Sequence, residues 1–224
     1  NAILIFGGMN KTALIIGATG LTGEQCLNEL LASSAYSRVI AITRSKLKTQ
    51  NPKLKNILVD FDNLYAIKEQ LKADDIYCTI GTTIAKAGSQ AAFKKVDYEI
   101  PLQIAEIAKQ NGAKTFVLVS SLGADAASGI FYSKIKGELE NALIKLKYES
   151  LLIFRPSILL GNRKEKRTGE EIGRFVAKKF SFLFAGPLKK YKGTPVNLLG
   201  KKMVQMALQE NKGVRVIENE EILK

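Results

Sequence analysis

Three polar side chains have types and spacing suited to moving a proton on and off oxygen. Tyr132 and Lys136 stand four residues apart in YSKIK, so on a helix they share one face. Ser121 lies eleven residues before Tyr132. Free tyrosine, with a pKa of about 10, is a poor base at neutral pH. A neighbouring ammonium stabilises its phenolate and lowers that pKa. Lys136 would supply the charge and also hydrogen-bond a nicotinamide ribose, and Ser121 would hold and polarise a substrate oxygen. That is the acid/base part of a hydride exchange between a nicotinamide and a carbonyl. The plain alternative is an interfacial tyrosine, a solvated lysine and a turn serine. Tyr-x-x-x-Lys is common by chance, so the elements that carry it decide between the two.

Residues 131–147 read as an amphipathic helix with Ile135, Leu139, Leu143 and Leu146 as its apolar stripe. Lys136 falls three before Leu139 and seven before Leu143, on the side that faces protein. Residues 114–120 (KTFVLVS) read as a buried strand that delivers Ser120 and Ser121 to its carboxyl end. Far upstream, KTALIIGATGLTG reads as a buried strand, three glycines at three-residue steps and the start of a helix. A strand that breaks into glycines and restarts as a helix lets a backbone approach a pyrophosphate. Gly17 would permit the tight turn, Gly20 the close approach, and Gly23 the packing of helix on strand. Amides at the helix start, that of Thr22 among them, would bind the anion in the positive field of the helix end.

Between these stretches, strand and helix patterns alternate. Residues 38–43 (RVIAIT) form a strand ending at Arg44, where an acidic residue would bind a ribose 2′-hydroxyl and a cation a 2′-phosphate. Arg44 is followed by Ser45 and Lys46 with no carboxylate at hand, which favours NADP over NAD. Residues 56–61 read as a third strand that ends in Asp60 and Phe61, where an adenine would lie, and residues 63–72 as a helix. Residues 76–80 make a fourth strand, followed by Gly81, Thr82 and Thr83 at the same sheet edge. A long helix carries Phe93, Val96, Ile100, Ile104 and Ile107, with Pro101 expected to kink or restart it. Residues 151–160 form a sixth strand and its exit at Pro156 and Ser157. Helices are expected at 168–180 and 198–209 and a last strand at 214–217. The pattern predicts an α/β fold with a doubly wound parallel sheet. Residues 1–224 form a single domain in this reading, with about 157–224 forming a small substrate cap.

The chain has 224 residues, 46% of them apolar, enough for one such domain with a substantial core. No apolar run approaches the ~20 residues of a membrane span. The net charge of +13 comes from scattered lysines, with RKEKR at 163–167 the densest run. That distribution suits a solvated surface and an anionic ligand better than nucleic acid. Cys26 and Cys78 fit no metal or redox spacing, and the absence of histidine removes histidine-based triads and metal sites. No metal is expected. Residues 1–8 are expected to be a leader or an added extension, and the protein a cytoplasmic monomer or homodimer acting on a small molecule.

GATGLTG, SSLGAD, YSKIKGE and FRPSILLG together resemble the short-chain dehydrogenase/reductase superfamily, in its atypical, extended-like NAD(P)-binding branch. With GTTIAKAG and VDYEIP they are most similar to the oxidoreductase-like Tat-interacting proteins and their bacterial relatives, often labelled nucleoside-diphosphate-sugar epimerases. The similarity runs from about Lys11 to the C-terminus with the motifs in order. It implies a Rossmann fold and Ser121, Tyr132 and Lys136 as catalytic residues. Around NADP it implies Gly17, Thr19, Gly20, Leu21, Thr22, Gly23 and Arg44, with Asp60, Phe61, Gly81, Thr82, Lys136, Pro156 and Ser157 completing the site. The expected activity is NADPH-dependent reduction of a small carbonyl. A sugar-nucleotide epimerase or dehydratase and a non-catalytic NADP(H) sensor are the alternatives. Asp97 stands where many extended members have an asparagine, so a proton relay through that position is not carried over.

Overall fold

A computed structural model of the chain describes residues 10–161, 191–209 and 211–224. The expected extension at 1–8, the basic run at 163–167 and the helix expected at 168–180 lie outside the described residues.

Strands β1 (Lys11–Ile16), β2 (Tyr36–Thr43), β3 (Leu54–Leu58), β4 (Asp75–Cys78), β5 (Thr115–Val119), β6 (Ser150–Arg155) and β9 (Gly213–Glu218) build one sheet. Its order is β3-β2-β1-β4-β5-β6-β9, and each neighbouring pair is parallel. Strands buried on both faces need continuous apolar runs rather than alternation, and ALII, IYC and TFVLV supply them without one exposed residue. This is the Rossmann-type α/β sheet that the sequence pattern implies. A short parallel pair, β7 (Leu159–Leu160) with β8 (Thr194–Pro195), joins the exit of β6 to the C-terminal segments.

Helices cover both faces. On one side α1 (Leu21–Ala32) and α6 (Val196–Ala207) bury Cys26, Leu27, Leu30, Leu199 and Met203 against the sheet. On the other, α4 (Ile100–Gln110) and α5 (Phe131–Lys145) bury Ile100, Ile104, Ile107, Leu139 and Leu143. Each such side chain contributes about 1.5–3 kcal/mol by leaving water. Both cysteines are free and buried, and burial pushes the Cys78 thiol up to about 12 despite the opposing pull of Lys136.

Four elements differ from expectation. Residues 63–72 form a 3-10 helix, Leu64–Gln70, rather than an α-helix. Leu64 alone is buried there, so little packing stabilises a regular α-helical turn. The strands expected at 56–61 and 76–80 are shorter, because their ends peel off as loops at the sheet edge. The long central helix is built in pieces: α2 (Ile84–Ala87), α3 (Gln90–Lys94), a π-helical turn at Lys95–Glu99, and α4 with Pro101 in its first turn. The backbone stays right-handed helical from α3 through Ile100, so Pro101 does not restart the helix; it falls directly after the π turn, one of the places where a helix tolerates a proline. Asp97, within the π turn, points into the interior and is 1% exposed. π turns often mark functional positions.

At the amino end of the strands, Tyr36 donates to Asp75 Oδ2 at 2.7 Å and its hydroxyl meets that of Tyr77 at 2.8 Å. Lys11 Nζ completes the group 3.0 Å from the same carboxylate. This buried polar cluster ties β1, β2 and β4 together at the end opposite the loops described next.

Candidate active site

The strand order reverses between β1 and β4, and in open α/β sheets a ligand crevice forms outside the carboxyl ends at such a point. A cleft of about 550 Å³ lies there. Gly17, Thr19 and Gly20 line it from the first loop, Arg44 from the end of β2, Asp60 and Phe61 from the end of β3, and Gly81 and Thr82 from the end of β4. Four separated sequence stretches thus converge on one cavity.

The first loop depends on two close approaches. Gly17 has φ +84°, and a Cβ there would stand 2.6 Å from the backbone of Ile80. A Cβ on Gly23 would stand 2.0 Å from the Gly17 carbonyl oxygen, so α1 seats directly on the turn. Gly20 caps α1 without any side-chain bond. The amides of Leu21, Thr22 and Gly23 therefore have no carbonyl one turn earlier in the helix. Thr22 Oγ1 is buried without a hydrogen-bond partner. Free amides and the positive helix end fit an anionic diphosphate.

At the other end of the cleft Arg44 is exposed on a loop held from below. Thr43 Oγ1 donates to Ser45 O at 2.7 Å, while Asn56 donates to Thr43 Oγ1 and accepts from Leu47 N, each at 2.8 Å. The nearby Asp62 carboxylate is engaged by Lys95. The cation at the end of β2 is thus presented by a rigid loop, and the charge on the next loop is partly neutralised.

Tyr132, Lys136 and Asp97 gather behind the Gly81 wall. Tyr132 is half-buried against Phe93, with ring centroids 5.5 Å apart. Lys136, one turn further along α5, is 4% exposed and places Nζ 2.7 Å from Asp97 Oδ1. The other oxygen, Oδ2, accepts the Thr82 N–H at 2.8 Å. A Cβ at Gly81 would stand 3.3 Å from Asp97 Oδ1 and 3.8 Å from Lys136 Nζ, so only glycine's backbone separates the ion pair from the cleft. Burial works to lower the Lys136 pKa, but Asp97 and the neighbouring Tyr132 outweigh it and hold the ammonium above its ordinary value.

The remaining predicted residues are less closely joined. Ser121 leaves β5 half-buried, with its hydroxyl donating to Leu122 O at 3.3 Å. Ser120, expected beside it in the crevice, instead turns inward and donates to Glu140. Pro156 is buried and its carbonyl accepts Leu122 N–H at 2.9 Å, which fixes the loop after Ser121. Ser157 faces the C-terminal segments. Its N–H donates to Thr194 Oγ1 at 3.0 Å and its hydroxyl to Tyr191 O at 3.1 Å. Leu21, Thr22 and Gly23 sit on α1 behind the loop. Pairing of Asp97 with Lys136 has a sequence signal in retrospect: Phe93, Asp97, Ile100 and Ile104 fall at helical spacing, an acid on an apolar stripe.

Comparison with known proteins agrees with this geometry. A family described as NAD(P)H-binding matches residues 17–157. Protein HTATIP2 of Rattus norvegicus is 36% identical over 222 residues, covering 93% of this chain and 90% of its own. "Protein FMP52, mitochondrial" of Candida albicans is 43% identical over 159 residues, 69% of each chain. That name places the yeast protein in mitochondria and lends no support to the cytoplasmic expectation for this chain. Among solved structures, MoeE5 in complex with UDP-glucose and NAD superposes with a TM-score of 0.70 at 18% identity, over 92% of this chain and 75% of that one, a likeness of fold. No described helix is long and apolar enough to cross a membrane.

Proposed function

The chain belongs to the NAD(P)H-binding family, and from that premise we propose that it is an NADPH-dependent oxidoreductase reducing a small carbonyl compound. The observation that carries the reading is Lys136: a buried ammonium, one helical turn from Tyr132, directly behind the Gly81 wall of the cleft. A lysine kept only for solubility would lie on the opposite face of α5.

In this reading Gly17, Thr19 and Gly20 shape the diphosphate site, and the amides of Leu21, Thr22 and Gly23 supply the donors. Arg44 receives the 2′-phosphate, Asp60 and Phe61 border the adenine, and Gly81 and Thr82 border the ribose, to which Lys136 also donates. The Pro156–Ser157 turn closes this side through its backbone, while α6 and β9 belong to the core and sheet rather than to a cap. The dinucleotide supplies the hydride. Ser121 orients the substrate oxygen, Tyr132 gives it a proton, and Lys136 stabilises the phenolate that remains. Unpaired donors aimed at a developing charge are stronger in a site shielded from water.

Titration with NADPH and NADH, followed by a panel of small carbonyls, tests the reading. Cofactor oxidation that vanishes in Tyr132→Phe supports it. Tight binding without turnover favours a dinucleotide sensor instead. Interconversion of sugar nucleotides with no net cofactor change favours an epimerase, the activity class in which UDP-glucose and NAD, as bound by MoeE5, would both have a place.

A further inference from the structure

Asp97 reads both the cleft and the proton-transfer helix with one carboxylate. Oδ2 holds the Thr82 amide on the cleft wall at 2.8 Å, and Oδ1 meets Lys136 Nζ at 2.7 Å. The two side chains are 1% and 5% exposed, so water cannot substitute for either partner. A buried ammonium without a counter-charge gives up its proton. A neutral lysine has no charge with which to lower the pKa of Tyr132.

We propose that Asp97 is a positioning residue that keeps Lys136 charged and fixed beside Tyr132. The inference rests on the oxidoreductase reading for its catalytic meaning, but its electrostatic content stands without turnover. The charged and titratable groups facing Lys136 are Asp97 from the π turn, Tyr132 from its own helix and Cys78 from β4. Burial holds the Cys78 thiol protonated up to about 12, so it offers no competing charge. Among these three, Asp97 is the one carboxylate. The second contact, to Thr82, means that loss of the carboxylate also loosens the cleft wall. Cofactor affinity is therefore a poor reporter, and the ionisation of Lys136 is the useful one.

The test follows the Lys136 ammonium by nitrogen NMR in NADP⁺-loaded protein as pH rises. In Asp97→Asn, Lys136 should lose its proton at lower pH than in wild type, because burial then acts without a counter-charge, whereas Asp97→Glu, which keeps a carboxylate, should stay near wild type. An unshifted Lys136 in folded Asp97→Asn overturns the proposal, because a purely structural role would lower thermal stability without moving that titration. If Asp97→Asn does not fold, the wild-type lysines decide: the Lys136 ammonium should remain charged after the surface lysines have titrated, and titration with or before them overturns the proposal. Carbonyl turnover is measured separately. A shifted Lys136 in a protein that turns over nothing removes the oxidoreductase reading and leaves the Asp97 pairing intact.

Discussion

Glu140 on α5 is clamped by Arg155 at the end of β6, with Arg155 Nε donating to Oε1 at 3.1 Å and its NH2 group meeting Oε2. Glu140 also accepts from Ser120 at the end of β5, and Arg155 reaches Glu218 on β9 at 3.0 Å. One buried carboxylate therefore joins the helix that carries Tyr132 and Lys136 to three strands of the sheet. Glu140 lies one turn past Lys136, so the same helical face first serves the cleft and then anchors itself.

Removing one partner of such a pair leaves a buried charge uncompensated. Arg155→Met should cost about 3 kcal/mol, at the low end of the buried-pair range because the guanidinium is partly exposed. Urea denaturation measures it. Arg155→Met combined with Glu140→Leu should cost less than the sum of the single changes, since the second change removes the stranded charge.

The polar cluster at the amino end of the strands makes a contrasting case. Tyr36→Phe removes the 2.7 Å bond to Asp75 and leaves the Tyr77 hydroxyl short of a partner. A loss of about 1–3 kcal/mol is expected, with NADPH affinity unchanged because the cluster lies at the opposite end of the sheet. Reduced affinity would contradict that separation.

Gly23→Ala should act in the reverse sense. A Cβ 2.0 Å from the Gly17 carbonyl displaces backbone, not a flexible side chain. Dinucleotide binding should fall by at least about 10-fold, a loss of about 1.4 kcal/mol, as read by fluorescence titration. Arg44→Ala is milder: NADPH should weaken while NADH does not, and equal effects on both would remove the 2′-phosphate assignment.

Alkaline pH should destabilise the fold. Burial raises the Cys78 thiol to about 12 and raises Cys26, Tyr36 and Tyr77 as well. The unfolded chain ionises these groups near their ordinary values, so above about pH 9 it binds fewer protons than the folded chain. The stability they contribute is present below that pH and is lost as pH rises through the folded values, at about 1.4 kcal/mol per unit for each titrating group. Denaturation midpoints measured from pH 7 to 10 should decline over the upper part of that range. Both thiols should resist alkylation until the chain unfolds.

The sheet, its parallel sense and the glycine turn were legible because they rest on local patterns: apolar runs such as ALII, and glycines between a strand and a helix. Lys136 was legible through its place on the α5 stripe. The 3-10 helix at Leu64–Gln70 was not, because its residues have helical types and only the scarcity of packing distinguishes it. Ser120 and Ser121 could not be separated in sequence, since the choice depends on Glu140 arriving from twenty residues away. Asp97 lay on the stripe of Phe93, Ile100 and Ile104, but nothing in that stretch names Lys136, thirty-nine residues on, as its partner. Pairings between distant elements are set by how the layers pack, and no single stretch records them.

The central claim, proton-coupled hydride transfer at Tyr132, is tested most directly by mixing NADPH-loaded protein with a panel of small carbonyls and following the reduced nicotinamide. Wild type should oxidise the cofactor with at least one carbonyl, and Tyr132→Phe should bind NADPH equally well yet leave it reduced. Equal oxidation rates in the two proteins would contradict the account.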